Sequence, residues 1–336
     1  MATVSLCMIV KNEEKILARC LDSMAGLMDE IIIVDTGSTD ATKEIAARYT
    51  DKVYDFTWVY DFAAARNFAF SLASMEYIYS ADADEVLDQK NQAAFLRLKE
   101  TLLPEIDIVQ MYYANQLSFG TIYNYDRELR PKLFKRLRTF VWQGAIHEQV
   151  GLEPVIYDSE IEIQHMPESN HKDRDLAAFV RLTQRGVTLD KRLHNLYAKE
   201  LFISGEEQDF LIAAPFFENS CQDTERSLDE IKEAACVVAR AARIADDMAK
   251  FFKYAMKVVA CEGCAEICCE LGDYYLGRGD IDEAIVWYYN AAYETESILH
   301  VKCSGEIPLL GLAACYKAAG NEKQAAEYER LADGQA

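Results

Sequence analysis

Over the first third of the chain, short apolar runs alternate with amphipathic stretches. Val4-Ser5-Leu6-Cys7-Met8-Ile9-Val10 is nearly all apolar and predicts a buried strand. Lys11 to Met28 follows, with Ile16, Leu17, Cys20, Leu21 and Met24 at helical spacing, and predicts a helix. Ile31-Ile32-Ile33-Val34 predicts a second, β-branched strand. A helix to about Tyr49 should follow it, capped by Ser38 or Thr39. Lys52–Phe56 predicts a third strand, Phe62–Ala73 a helix and Tyr77–Ser80 a fourth strand. This βαβαβαβ order predicts an α/β fold with a mostly parallel, doubly wound sheet. In such sheets the loops after the strands carry the ligands. Further strands are expected at Val109–Asn115, Arg130–Arg136 and Ile161–His165.

Beyond Asp173 the pattern becomes almost wholly helical. The expected division is a first domain over 1–170 and a helical domain over 171–336. Within the latter, residues 265–298 resemble a tetratricopeptide repeat, with Leu271, Gly272, Tyr275, Gly279, Ala284, Tyr288 and Ala291 on that repeat's preferred positions. A second copy is suggested by Leu312, Ala313, Tyr316, Gly320 and Ala325 in 306–332, and a weaker one by Leu196 to Phe217 around Gly205. Stacked helical hairpins share one continuous core; a plain helical bundle is the alternative over 173–260.

The chain has 336 residues, of which 51% are hydrophobic, enough for a substantial core. The net charge of −21 argues against a nucleic-acid binder or an anionic-membrane binder, because phosphate attraction needs Lys and Arg. No apolar run approaches the roughly 20 residues that cross a bilayer. Met1-Ala2-Thr3-Val4-Ser5 has no basic segment of the kind that opens a signal peptide. Reduced thiols and a cytoplasmic location are therefore expected for the 10 cysteines. Cys261, Cys264, Cys268 and Cys269 raise the question of zinc, but four ligands on about two turns of one helix cannot close a tetrahedron. Burial at a helix contact is the expectation.

Ser80-Ala81-Asp82-Ala83-Asp84-Glu85 ends the fourth strand. Carboxylates this close repel, and are tolerable when solvated or when a hard cation such as Mg²⁺ or Mn²⁺ lies between them and a phosphate. Three other loops should gather at the same sheet edge: Lys11-Asn12-Glu13-Glu14, the loop at Asp35, and Asp61 to Asn67.

These segments together resemble a family 2 glycosyltransferase of the GT-A fold. The matching residues are Leu6 to Glu14, Val34-Asp35-Thr36-Gly37-Ser38-Thr39-Asp40, Ala65-Arg66-Asn67 and Asp82-Ala83-Asp84. The resemblance covers residues 4 to about 165 and implies a nucleotide-sugar donor, usually a UDP-sugar, with Mn²⁺ or Mg²⁺. By position, Asp35 would accept from the uracil imide N–H, or merely turn the chain and cap the next helix. Arg66 would contact the base or the phosphates, or lie on a helix surface near Asp61. Val10, Asn12 and Glu13 would line the nucleoside pocket. Asp82, with Ala83 beside it, would lie near the ribose and metal, and Asp84 would bridge the metal to the diphosphate. His165 would complete the metal shell, or be an ordinary strand-end residue.

Trp142-Gln143-Gly144-Ala145-Ile146-His147-Glu148 resembles the Trp…His-Glu segment of this subgroup. Inverting transfer needs a group that takes the acceptor's proton. Glu148 is the expected base, with His147 as the alternative or as its orienting partner. Both are structural in the competing reading. Arg127, Arg130, Lys132, Lys135, Arg136 and Arg138 form a basic strand in an acidic chain. Alternation would turn only some of them toward a diphosphate; a solvated strand face is the alternative.

The expected function is an inverting transferase acting on a protein or peptide acceptor, which the concave repeat half would hold. That half also offers a surface for self-association. A polysaccharide or lipid-linked glycan acceptor is the rival enzyme reading. A catalytically inactive repeat scaffold is the rival of a different class. A nucleotidyltransferase fits poorly, because the first loop is acidic and has no glycine.

Overall fold

A computed structural model describes residues 1–114, 127–138, 142–143, 149–150, 154–166 and 172–334. The chain forms two compact units, Met1–Asn170 and His171–Ala336.

The first unit contains β1 (Val4–Val10), α1 (Leu17–Met24), β2 (Glu30–Asp35), α2 (Thr42–Ala46), β3 (Val53–Asp55), α3 (Phe62–Leu72), β4 (Tyr77–Ala81) and β5 (Glu85–Val86). There follow α4 (Gln89–Thr101), β6 (Ile108–Ala114), β7 (Glu128–Lys135), β8 (Trp142–Gln143), β9 (Gln149–Val150) and β10 (Ile156–His165). Eight strands form one sheet in the order β3-β2-β1-β4-β7-β6-β10-β5, and β8 pairs with β9. Six of the eight run the same way; β7 and β5 oppose their neighbours. The expected mostly parallel, GT-A-like sheet flanked by helices is what forms.

β1 reads as a continuous apolar run because both its faces are covered. Leu6 and Met8 pack with Leu17 and Leu21 of α1 and Phe95 of α4. Cys7 faces the other way, onto Ile32, Val34, Ala69 and Phe70. The pattern did not announce α4, whose first turn is polar. Asp88 caps it by accepting from the Asn91 N–H (2.8 Å), and Phe95 and Leu98 seat it on the sheet.

Two expected helices are shorter than the pattern suggested, for one reason. The first begins at Leu17, not Lys11. Asn12 takes a left-handed φ of 58°. Its N–H donates to Ser38 Oγ (2.8 Å), and its Oδ1 accepts from the Thr39 N–H (2.8 Å). The Glu13 N–H donates to Thr42 Oγ1 (2.7 Å), and Glu14 Oε2 accepts from the Ala41 N–H (3.1 Å). The loops after β1 and β2 thus satisfy each other's backbone and leave none of it for a helix. For the same reason Ser38 and Thr39 do not cap α2. Asp40 does that work, its Oδ1 accepting from the Thr42 N–H (3.0 Å).

The second unit contains α5 (Lys172–Gln184), α6 (Lys191–Ser204), α7 (Glu207–Ser220), α8 (Leu228–Ile244), α9 (Met248–Val259), α10 (Ala265–Gly277), α11 (Ile281–Tyr289), α12 (Glu306–Ala318) and α13 (Glu322–Asp333). The two clearest repeat-like segments are the hairpins α10–α11 and α12–α13. Leu271, Ala284, Ala291, Leu312 and Ala325 are buried in them as the repeat spacing predicts. Tyr288 of α11 is wedged between glycines: a Cβ would lie 2.7 Å from its ring at Gly272 and 2.5 Å at Gly311. Its hydroxyl donates to Asp273 Oδ1 (2.6 Å), so the ring is tied in place. Cys264, Cys268 and Cys269 are buried and Cys261 is exposed. No group of three or more metal-ligating side chains exists among the described residues.

Two outcomes follow from this packing. Gly311→Ala should destabilise the helical unit by about 1–3 kcal/mol, because overpacking a fixed ring outweighs the gain of roughly 1 kcal/mol in helix propensity. A urea or thermal melt that rises instead would show that Tyr288 yields. The second concerns Glu30, whose side chain is 2% exposed. Burial alone would raise its pKa, but hydrogen bonds from Lys52, Ser5 and Ser74 outweigh burial and hold it at about 2. The resulting stabilisation, on the order of 3 kcal/mol, is fully present above the ordinary value of 4.5 and is lost as pH falls toward 2. The stability gap between the parent and Glu30→Gln in urea unfolding should therefore narrow over that acid range; a gap independent of pH would contradict this account.

Candidate active site

Val10 and Asp35 are register partners at the carboxyl ends of β1 and β2. The Thr36 N–H closes onto Val10 O (2.9 Å), so the two loops leave the sheet together. Asp35 is 2% exposed. Its Oδ2 accepts from the Gly37 N–H (3.0 Å) and the Ser38 N–H (2.9 Å), which turns the chain. Its Oδ1 is buried and has no hydrogen-bond partner. One oxygen therefore holds the loop and the other has no donor among the described residues. Asn12 and Glu13 lie in the adjoining loop, their backbone spoken for by the contacts described above.

Arg66 comes from α3, which starts at Asp61; the Asp61 side chain accepts from the Ala64 N–H (3.0 Å) as its cap. The guanidinium donates to Ser80 Oγ (2.9 Å) and Asp82 Oδ1 (3.0 Å) and lies 5.3 Å from the centre of the Trp142 ring. It therefore faces the end of β4, not open solvent. Burial would raise the Asp82 pKa, but Arg66, Lys132 and Arg130 outweigh it and hold the carboxyl well below the usual carboxylate range.

Ala83 is buried, and Asp84 points to the other side of the turn. Its Oδ2 lies 3.0 Å from His165 Nε2, and its Oδ1 is buried without a hydrogen-bond partner among the described residues. His165 reaches this place because β10 pairs with β5, His165 opposite Glu85. Of the three residues expected around a metal, the fold brings Asp84 and His165 together and turns Asp82 toward Arg66.

Helix α1 supports this turn from beneath. The Cys20 thiol lies 3.4 Å from Asp82 O, and Ser23 Oγ accepts from the Leu87 N–H (3.2 Å). Arg19 donates to Met166 O (2.5 Å), just past the end of β10.

The cations of the basic strand divide between two surroundings. Lys135, Arg136 and Arg138 bind Pro104 O, Met75 O and Asp107 away from the carboxylates. Arg127 lies 3.5 Å over the Tyr112 ring and pairs with Glu162 (3.0 Å). Arg130 lies 4.1 Å over the Tyr113 ring, and Lys132 Nζ meets Glu85 Oε1 at 2.5 Å. Glu85 is fully buried, and Lys132 is 6% exposed. Burial pushes the Glu85 carboxyl up to about 7; Lys132 opposes this, while Asp82 and Asp84 add to it. Sequence reasoning placed Glu85 in the acidic cluster but gave it no partner, because the Lys132 side lies 47 residues away on a strand that runs the opposite way.

Asn67 was also read only as a motif residue. Its side chain works as a piece of backbone: Oδ1 accepts from the Trp142 N–H (2.8 Å) and Nδ2 donates to Trp142 O (3.0 Å). The Trp142 ring packs on Phe70 (5.8 Å) and Phe134 (5.4 Å). α3 thus fixes both Arg66 and the start of the Trp142 segment. His147 and Glu148, the expected base and its alternative, lie outside the described residues.

Residues 5–153 match the family model Glycosyl transferase family 2. A TPR repeat-containing protein of Synechococcus elongatus is 43% identical over 112 residues, 30% of this chain and 28% of that protein. The SPbeta prophage-derived glycosyltransferase SunS of Bacillus subtilis is 30% identical over 162 residues, 47% of this chain and 36% of that protein. The chain thus spans about a third of the length of these curated relatives. Among solved structures, glucosyl-3-phosphoglycerate synthase from Mycobacterium tuberculosis, in complex with Mn²⁺ and UDP-glucose, aligns with 56% of this chain and 81% of its own, at 14% identity and a TM-score of 0.40.

The Asn67 clamp has a direct readout. Asn67→Ala should raise the hydrogen-exchange rate of the Trp142 amide by about tenfold, the factor that matches loss of one buried hydrogen bond. Amides of β1 should be unchanged, and an unaltered Trp142 amide would show that the clamp holds nothing.

Proposed function

We propose, on the match of residues 5–153 to the Glycosyl transferase family 2 model, that the protein is an inverting, metal-dependent glycosyltransferase. It takes a nucleotide sugar, a UDP-sugar in this reading, and passes the sugar to a protein or peptide acceptor. The observation that carries the donor side is the pair of half-satisfied carboxylates, Asp35 and Asp84, at one sheet edge.

Asp35 Oδ1 suits the uracil imide N–H, since a buried carboxylate oxygen without a donor calls for one. Val10, Asn12 and Glu13 form the adjoining wall. Arg66, already aimed at Asp82, meets the base or the phosphates from the α3 side. Asp84 and His165 are the residues that would hold the metal. A carboxylate oxygen with spare capacity beside an imidazole would fit Mn²⁺ well and Mg²⁺ acceptably. When bound, such an ion neutralises charge on the departing diphosphate. Asp82 and Ala83 then lie on the ribose side.

Glu148 takes the proton of the acceptor nucleophile as it attacks the anomeric carbon, with His147 orienting it or replacing it. Direct displacement inverts that carbon. The stacked hairpins of the helical unit supply the surface for the acceptor and for any self-association. This reading places the enzyme in the cytoplasm, where thiols stay reduced. No described helix is long and apolar enough to cross a membrane.

Intact-mass measurement of candidate peptides after incubation with a panel of UDP-sugars and Mn²⁺ tests the whole reading. A single-hexose or N-acetylhexosamine increment is expected. It should vanish on chelation and fall by at least 10²-fold in Asp84→Ala, the range expected when a group that stabilises the transition state is removed. Turnover that survives Asp84→Ala would sink the mechanism. Transfer only to glycan or lipid-linked acceptors would move the acceptor assignment and leave the donor chemistry standing.

A further inference from the structure

Lys132 owes its position to an irregularity in β7. Val109 pairs with Leu133, but the next residue, Gln110, pairs with Pro131, so Lys132 is one residue too many on its strand. This is a β-bulge, and bulges re-aim side chains. Regular alternation would send Lys132 to the face opposite Leu133. Instead it enters the same layer: Leu133 packs in the cluster that contains Tyr79 and Tyr113, and Lys132 Nζ lies 6.0 Å and 5.6 Å from those two rings. Pro131 suits the bulge because it has no N–H to give to a ladder. Pairing of β4 with β7 also stops at Tyr79 and Leu133, so β4 is free of β7 over its last residues, Ser80 and Ala81.

The ammonium so delivered meets Glu85 Oε1 at 2.5 Å. The two side chains are 8% and 0% exposed. Glu85 belongs to β5, the short strand that brings Asp84 and His165 together through its pairing with β10. A buried charge pair is a poor way to hold two strands, since apolar residues of the same size usually do so as well or better. What apolar residues would not supply is a fixed positive charge beneath Asp82, Asp84 and Glu85, tied to the strand that follows them.

We propose that Lys132 and Glu85 are a positioning pair for the Asp82-Ala83-Asp84 turn. Lys132, thrust inward by the bulge, anchors β5 through Glu85 and offsets the mutual repulsion of the carboxylates, so that Asp84 is presented to the metal and diphosphate in one orientation. Neither residue touches the donor. The inference rests on the glycosyltransferase reading above and deepens it.

The test measures Mn²⁺ binding by loss of the free-ion EPR signal, UDP binding by calorimetry in Mn²⁺, and the thermal midpoint, for the full chain. Glu85→Gln and Lys132→Met should each weaken Mn²⁺-dependent UDP binding by about tenfold or more, because each leaves a buried charged group facing a neutral one. The double variant Glu85→Gln/Lys132→Met should recover to within about threefold of the parent. Lys132→Arg, which keeps the cation, should stay close to the parent. A folded double variant as weak as Lys132→Met would overturn the proposal and make Lys132 a direct donor ligand. Single variants that bind like the parent would overturn it as well, leaving the pair inert. If Lys132→Met does not fold, Glu85→Gln and the double variant still decide between these outcomes. A parent that binds neither Mn²⁺ nor UDP overturns the glycosyltransferase reading itself, which is a separate and visible failure.

Discussion

Everything at the carboxyl edge of the first unit depends on holding carboxylates together that repel one another. Asp82, Asp84 and Glu85 occupy four consecutive positions with Ala83, and carboxylates so close repel one another and would spread the turn apart if nothing opposed them. The fold opposes them from three sides. Arg66 comes from α3 and binds Asp82. Lys132 comes from β7 and binds Glu85. His165 comes from β10 and binds Asp84. Each carboxylate has its own partner on a different element, so the spacing of the carboxylates reports the packing of α3, β7 and β10 on the sheet.

The same principle operates in the loops after β1 and β2, with hydrogen bonds in place of charges. Asn12, Glu13 and Glu14 on one side and Ser38 to Thr42 on the other complete each other's backbone. Neither loop is stable in this form alone, and both are positioned by the parallel register of β1 with β2. Asp35 sits where that register ends.

Much of this was legible in the sequence, and the boundary of legibility has a physical cause. The strands β1, β2 and β4 are buried on both faces, so their apolar runs are unmistakable; β7 is marked by its alternating cations. Asp35 and Asp84 were legible because short motifs place them just after such strands, and Arg66 because its motif falls in the first turns of α3. What could not be read is whatever depends on a partner distant in sequence. The first helix starts six residues late because its opening residues bond to the loop after β2. Helix α4 escaped notice because its polar first turn hides the few apolar residues that seat it. Lys132 looked like one cation among six; only the bulge opposite Val109 and Gln110 singles it out. Asn67 gave no sign that it serves the backbone of Trp142, 75 residues away.

Buried carboxylates in this chain differ in how completely their oxygens are satisfied. Glu30 accepts from Ser5, Lys52 and both donors of Ser74, and Glu266 accepts from the backbone N–H groups of Ile298, Leu299 and His300. These are complete: every oxygen has its donors and the chain has nothing more to gain from them. Asp35 and Asp84 are buried to a similar degree, yet each keeps one oxygen without a partner. A desolvated acceptor left unpaired costs about 1–3 kcal/mol. Asp35 ends β2 beside the β1–β2 loops, and Asp84 lies in the turn after β4 beside His165, with β1 between those two strands. Burial by itself therefore says little about function here. Incomplete satisfaction is shared by Glu85 and Glu233, each of which also keeps one buried oxygen without a partner among the described residues, so what sets Asp35 and Asp84 apart is their place beside the loops that follow the strands.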